Sequence, residues 1–450
     1  MTNSRDKPFW LRYLPPVFRE KLAGKINIFS AVANSAWIFL DKVLRALLGV
    51  VVGAWVARYL GPTDFGELSY CIAFIAIFQS LSRLGLDSIV VRNIAKNLHD
   101  SHITLGTLFL LKLLSGIICW ISAIVIYGVF NSFEGQGIWI MGLIGLSIIF
   151  QASDVVDLWF QGNAENKRTV LAKIIVFLIS NGLKVALILA YAPLMYFAIV
   201  IMIESALTAL AFYISYLRFP SIDKWKGSNE MAKTLLLESW PYLISGISIM
   251  VYMRIDQLMI KSMLGQHALG IFAAVIPISN LWNMIPVTIC SSIAPAMERK
   301  KLEGDLIFNS SLVRLFRIFW IMSVITILVT FISSKFVIAI MYGSAYEAAS
   351  PVLKIYALTS LPVFLGVGQM LWIINQEKST LQLIQTTAGM IVSVGANLWL
   401  LPLYGIEGAA WSVVLAQVIS ALAINAIFCR PLFIMQMGIN IFPAKLKHQE

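Results

Sequence analysis

The sequence predicts an all-α polytopic membrane protein: about twelve transmembrane helices in two six-helix repeats around a central cavity. Three observations carry that expectation. Hydrophobic residues make up 59% of the 450 and charged residues only 13%, against about a quarter charged in soluble domains. Apolar runs of about 20 residues, the length that crosses about 30 Å of hydrocarbon, follow one another with short connections. Finally, the block Leu60-Gly61 followed by Gly66 recurs as Leu264-Gly265 followed by Gly270. At a second constant offset, Trp159, Ser180, Gly182, Tyr191 and Glu204 correspond to Trp372, Ser393, Gly395, Tyr404 and Gln417. Parallel repeats of this kind place a cavity between two halves that rock against each other.

Taken in order, residues 1–31 form a cytoplasmic or interfacial segment. Trp10, Leu11, Tyr13, Leu14, Val17 and Phe18 alternate with basic residues and are interrupted by Pro15 and Pro16, so this stretch is expected to lie in the headgroup plane. It is not a cleavable leader, because the first long apolar run already contains Asp41, Lys42 and Arg45. The first repeat (32–217) is expected to hold spans at 32–57, 66–86, 105–128, 137–160, 170–191 and 193–217. A cytoplasmic linker (218–236) leads to the second repeat (237–429), with spans at 237–263, 268–296, 314–341, 351–374, 380–401 and 404–429. Residues 430–450 are left as a cytoplasmic tail. Helices are required because lipid satisfies no backbone polar group, and the alternation of barrel strands is missing. Gly49 and Gly53 mark a close-packing face in the first span. Pro277, Pro286 and Pro295 predict a bent eighth span.

Orientation follows from Lys and Arg. Arg5, Lys7, Arg12, Arg19, Lys21 and Lys25 precede the first span; Arg218, Lys224, Lys226 and Lys233 fill the linker; Arg299, Lys300 and Lys301 follow the eighth span. The connections on the opposite side carry Arg58 alone. The bias predicts an inner membrane protein with both termini cytoplasmic. The formal charge of +11 is this bias plus attraction to anionic lipid; dispersed over several loops, it does not point to nucleic acid. Cys71, Cys119, Cys290 and Cys429 sit in or beside spans without metal or redox spacing, and the four histidines lack ligand spacing. No phosphate-binding loop or hydrolase motif occurs, so neither a cofactor nor a metal is expected.

The stretch Arg58-Tyr59-Leu60-Gly61-Pro62-Thr63-Asp64-Phe65-Gly66, then Leu84-Gly85-Leu86 and Arg92, resembles the polysaccharide-export branch of the multidrug/oligosaccharidyl-lipid/polysaccharide (MOP) superfamily, in particular Wzx-type O-antigen flippases. Arg254-Ile255-Asp256-Gln257, followed by Leu264-Gly265 and Gly270, resembles it too. The resemblance implies movement of an undecaprenyl-diphosphate-linked oligosaccharide from the cytoplasmic to the periplasmic leaflet by alternating access, through a cationic cavity. It admits a coupling proton or sodium ion and, as partners, a polysaccharide polymerase and a chain-length regulator. A cation-coupled multidrug exporter of the same superfamily is the alternative. A membrane glycosyltransferase or polysaccharide polymerase is disfavoured, because the connections are too short to hold a nucleotide-sugar domain. Physically, Gly61 and Gly66 read as residues of a tight turn around Pro62.

An ionisable group deep in a span costs on the order of 3 kcal/mol or more unless it faces a cavity or a partner. Lys42, Arg45, Lys184 and Arg254 are therefore the substrate-binding candidates, and Asp41, Glu204 and Asp256 the coupling or charge-pairing candidates. Asp41 and Arg45 share a helix face, so a self-satisfied pair and a cationic wall both stand. Glu204 is either a coupling site or the counter-ion of Lys184. Arg254 and Asp256 lie about 200° apart around a helix, which sends Arg254 to the cavity and Asp256 to a neighbouring helix. Asp154 and Asp157, near a span end, read as hydrated. Lys112, Lys173, Lys261, Lys335 and Lys354 are close enough to span ends to snorkel. Trp282 and Trp372 are open between packing and stacking on sugar.

Overall fold

The computed structural model describes residues 26–96, 101–131, 133–163, 165–221, 224–376 and 378–439, with the side chains of its first helix described from residue 44 onward. The expected interfacial segment up to residue 25 and the tail beyond residue 439 lie outside the described residues.

The first half comprises α1 (Ile26–Ser82), α2 (Asp87–Lys96), α3 (Ser101–Asn131), α4 (Gln136–Gly162), α5 (Lys167–Leu189) and α6 (Leu194–Leu217). The second comprises α7 (Asn229–Leu264), α8 (Gln266–Glu303), α9 (Asp305–Met341), α10 (Ala349–Asn375), α11 (Ser379–Val418) and the short α12 (Arg430–Gln436). Among the described residues, 10 helices are long and apolar enough to cross a membrane. Two of these hold two spans each. In α1 the helix breaks at Gly61, whose φ of 74° and ψ of 170° are open to glycine and strained for other residues. In α11 it breaks at Gly405, with φ 59°. The apolar stretch Thr380–Phe428, at 49 residues, is more than twice a span's length. Split at these two glycines, the 10 helices give twelve apolar helical segments among the described residues, in the expected order.

Two short elements depart from expectation. The connection after the second span folds into α2, an amphipathic helix whose Ile89, Val90 and Ile94 are buried against Val155, Val156 and Phe160 of α4. Past the last span, α12 is held where the sequence suggested only a tail. The Gln436 side chain enters a buried amide network, donating to Gln369 Oε1 (2.9 Å) and to the Ala421 carbonyl (3.1 Å). Asn425 Nδ2 donates to Gln369 Oε1 (2.6 Å) and Gln436 Oε1 (3.0 Å), and Gln385 Nε2 to Asn425 Oδ1 (2.6 Å). A π-helical turn at Ile419–Ala423 lies in the same place, consistent with carbonyls turned toward side-chain donors.

The connections alternate between two faces. One, the basic face, carries the α1–α3, α4–α5, α6–α7, α8–α9 and α10–α11 links. The other, the glycine face, carries the breaks at Gly61 and Gly405 and the one-residue link Gly265 between α7 and α8. There the two halves cross reciprocally. A Cβ on Gly66 would overlap the Gln266 carbonyl oxygen, and a Cβ on Gly270 would overlap the Pro62 carbonyl oxygen. Corresponding glycines of the two repeats therefore let α1 and α8 meet backbone to backbone. Gly66 is a crossing point rather than the turn residue that its spacing suggested; the turn is Gly61. The largest buried apolar cluster straddles this crossing, joining Val52, Val56 and Ile75 to Ile260, Phe272 and Tyr346. Tyr346 Oη adds a hydrogen bond to the Ala57 carbonyl across the seam, 2.7 Å.

Candidate functional site

In the first half the deep charges line one strip of α5. Phe177, Ser180 and Lys184 recur at helical spacing and face the same way. The Arg45 guanidinium lies 4.8 Å over the Phe177 ring, a cation–π contact that favours a planar cation. Higher along the strip, Lys184 Nζ lies 3.2 Å from Glu204 Oε2 of α6, and Ser180 Oγ donates to the same oxygen. Both charged side chains are about a quarter exposed, 21% for Lys184 and 25% for Glu204. This pair is thus neither sealed in a core nor free in water. Asp41 and Lys42 precede the described side chains.

In the second half Arg254 and Asp256 on α7 diverge as helical geometry requires. Asp256 is buried, and its Oδ1 accepts the Gln257 amide at 2.8 Å. Arg254 is half-buried, and among the described residues its Nε has no hydrogen-bond partner. Gln257 Nε2, on the next turn, is also without one. An unsatisfied guanidinium N–H in low dielectric is costly, and a phosphate oxygen satisfies it well. The structure thus brings Lys184 and Glu204 together, sets Arg45 on the same half, and keeps Arg254 in the other.

Several charges have different settings from those expected. Lys112 does not snorkel: it is 3% exposed and its Nζ lies 2.6 Å from Asp87. Lys173 pairs with Asp157 at 2.7 Å, so that carboxylate has a salt-bridge partner. Lys261 is largely enclosed as well, among residues of the opposite half. It donates to Asn131 Oδ1 (2.6 Å), sits 3.9 Å over the Tyr70 ring, and lies 3.8 Å from Glu67. Glu67 had no place among the expected functional residues. Its signal was available, a carboxylate placed directly after Gly66 at the head of an apolar span. Trp372 is packed into the second-half core with Phe364 and Leu371.

The family model described as polysaccharide biosynthesis protein matches residues 31–301, more than half of the chain. No curated protein sequence is a significant match. Among solved structures, an inward-facing multidrug resistance MATE family transporter of the MOP superfamily is similar at a TM-score of 0.72 and 15% identity, covering 87% of this chain and 96% of that one. The lipid II flippase MurJ in an inward closed conformation gives 0.70 at 13% identity, covering 90% of each. An outward-facing MATE family transporter gives 0.61 at 14% identity, covering 91% and 96%. At these identities the likeness shows a shared fold.

Proposed function

Because the chain belongs to the polysaccharide biosynthesis protein family and has the fold of MOP-superfamily transporters, we propose that it is a flippase for undecaprenyl-diphosphate-linked oligosaccharide. It carries the repeat unit of an O-antigen or similar polysaccharide from the cytoplasmic to the periplasmic leaflet of a bacterial inner membrane, by alternating access. The basic face is then cytoplasmic. The observation that carries this reading is the contrast among the deep cations. Lys112 and Lys261 are held against carboxylates within the fold, whereas the Arg254 Nε is left without a partner among the described residues. Lys184 and Glu204 stay partly exposed.

Mechanistically, Arg254 offers a guanidinium fork to diphosphate oxygens. Lys184 is a second cation whose charge is balanced by Glu204. Glu204 competes with a phosphate for Lys184, which makes it the group of the first half at which a coupling proton or sodium ion would act. Lys42 and Arg45 supply further positive charge along the first span, with Asp41 tempering it. Asp256, buried beside the unpartnered Gln257 amide, is the pairing or coupling group of the second half. Export also gains from the membrane potential, at about 2.3 kcal/mol per negative charge per 100 mV. The released unit is then available to a polymerase and a chain-length regulator. Covalent chemistry is not part of this reading.

Proteoliposomes containing a fluorescent undecaprenyl-diphosphate oligosaccharide provide the test. The expected result is protein-dependent exchange of the label between leaflets, read by an impermeant quencher and lost in Arg254→Ala. The reading is overturned by exchange equal to empty vesicles, or by a glycosidic bond formed from a nucleotide sugar. Export of lipophilic cations without lipid exchange points instead to a multidrug exporter.

A further inference from the structure

The two halves are tied together at both faces, by very different means. At the glycine face the tie is buried and many-sided. Glu67, on the first half, accepts hydrogen bonds from Tyr127 Oη of its own half (2.8 Å) and from Gln266 Nε2 of the other. Lys261, on the second half, is inserted into a socket made of first-half residues: the Tyr70 and Tyr127 rings, 3.9 Å and 5.2 Å from its ammonium, Asn131 and Glu67. Only 11% of the Lys261 side chain and 9% of Glu67 is exposed. Gly137 leaves the room this requires, since a Cβ there would collide with Tyr127 Oη and Glu67 Oε1. At the basic face, the ion pair joining the halves among the described residues is Arg92–Glu238 at 3.0 Å, with side chains 54% and 45% exposed.

From this asymmetry we propose that Glu67, Lys261 and Gln266 form a latch that holds the glycine face shut in the resting state, so that the halves part first at the basic face. Parting at the glycine face strips an enclosed lysine of its carboxylate, its amide and its aromatic cage together. Parting at the basic face separates a surface ion pair, which changes little, together with the packing of Leu235 and the Ser239–Leu243 backbone against the first half, but among the described residues it strips no enclosed charge of its partners. The latch depends on the transporter reading only in requiring two alternately open states; it holds whatever the cargo. The better superposition on an inward-facing than on an outward-facing relative agrees with it.

Cys71 provides a native reporter. It is fully buried and lies one turn from Glu67 on the same face of the helix. In a chain keeping Cys71 as its only cysteine, an impermeant maleimide added at the glycine face reads opening of that face directly, with no substrate present. The expected result is slow labelling in the unchanged latch, and labelling at least about tenfold faster in Lys261→Met and Glu67→Gln, a shift of about 1.4 kcal/mol in the equilibrium. Asn131→Ala, which keeps both charges, is expected in between and serves if the charge variants fail to fold. Arg92→Ala is expected to leave Cys71 as slow as before. Unchanged labelling in the folded latch variants, or equal acceleration by Arg92→Ala, overturns the latch. Because the readout is thiol accessibility, its failure leaves the flippase reading to be judged by lipid exchange alone.

Discussion

At the scale of single residues, the substrate reading rests most heavily on Arg254. Its replacement by alanine is expected to remove binding worth about 1.5–3 kcal/mol per charged hydrogen bond lost, roughly ten- to a hundred-fold in affinity. Membrane abundance should stay normal. Arg254→Lys keeps the charge without the fork and should retain part of the activity. Asp256→Asn should lower abundance more than transport per molecule, because Asp256 is buried and bonded to its own helix. Complementation scored against membrane level for all three variants checks this; full complementation by Arg254→Ala would sink the role. How far such roles can be read from sequence differs from one charge to the next. Lys184 and Glu204 could be matched in advance because each sits too deep to reach water, so each demanded a partner. Lys261 could not, because depth along a span does not separate a lysine that reaches the headgroups from one held by Asn131, 130 positions away in the chain.

At the scale of elements, the glycine pattern predicts unequal tolerance. Gly66→Ala and Gly270→Ala place a methyl against carbonyl oxygens of the opposing repeat, and no side-chain rotation relieves a backbone collision. Both are expected to lower the melting temperature in detergent and to loosen the contact between halves. Gly395→Ala has open space around it and should be neutral, or stabilising by about 0.5–1 kcal/mol through helix propensity. Equal melting of all three would contradict the crossing. Asn425→Leu is expected to cost about 1–3 kcal/mol by stranding the Gln385 amide, visible as earlier melting with lipid exchange per folded molecule retained. The spans themselves were legible, since twenty apolar residues in a row have one solution in lipid. The short helices α2 and α12 were not. Each is far shorter than a span and is fixed by distant partners: α4 for one, Gln369 and Asn425 for the other. The turn at Gly61 was legible for the same local reason that the crossing at Gly66 was not.

At the scale of the whole molecule, the proposed orientation is open to direct test. Reporter fusions after residues 225 and 303 are expected to report the cytoplasm, and those after 131 and 345 the exterior. A signal from the exterior at 303, beside Arg299, Lys300 and Lys301, would overturn the arrangement. The two-half architecture was readable in the sequence because the repeat survives at its glycines; the latch between the halves was not, because it joins residues that have no counterparts at the repeat offset. The glycine face has one more consequence. The chain reverses there at single residues, Gly61, Gly265 and Gly405, and elsewhere through brief links such as Ala190–Pro193. Proteolysis and antibody capture both need a protruding segment that can leave the body of the protein, and this side provides almost none. In the proposed orientation the periplasm would meet mainly the ends of packed helices, so a protease or an antibody fragment reaching that side would find scarcely any peptide to grip.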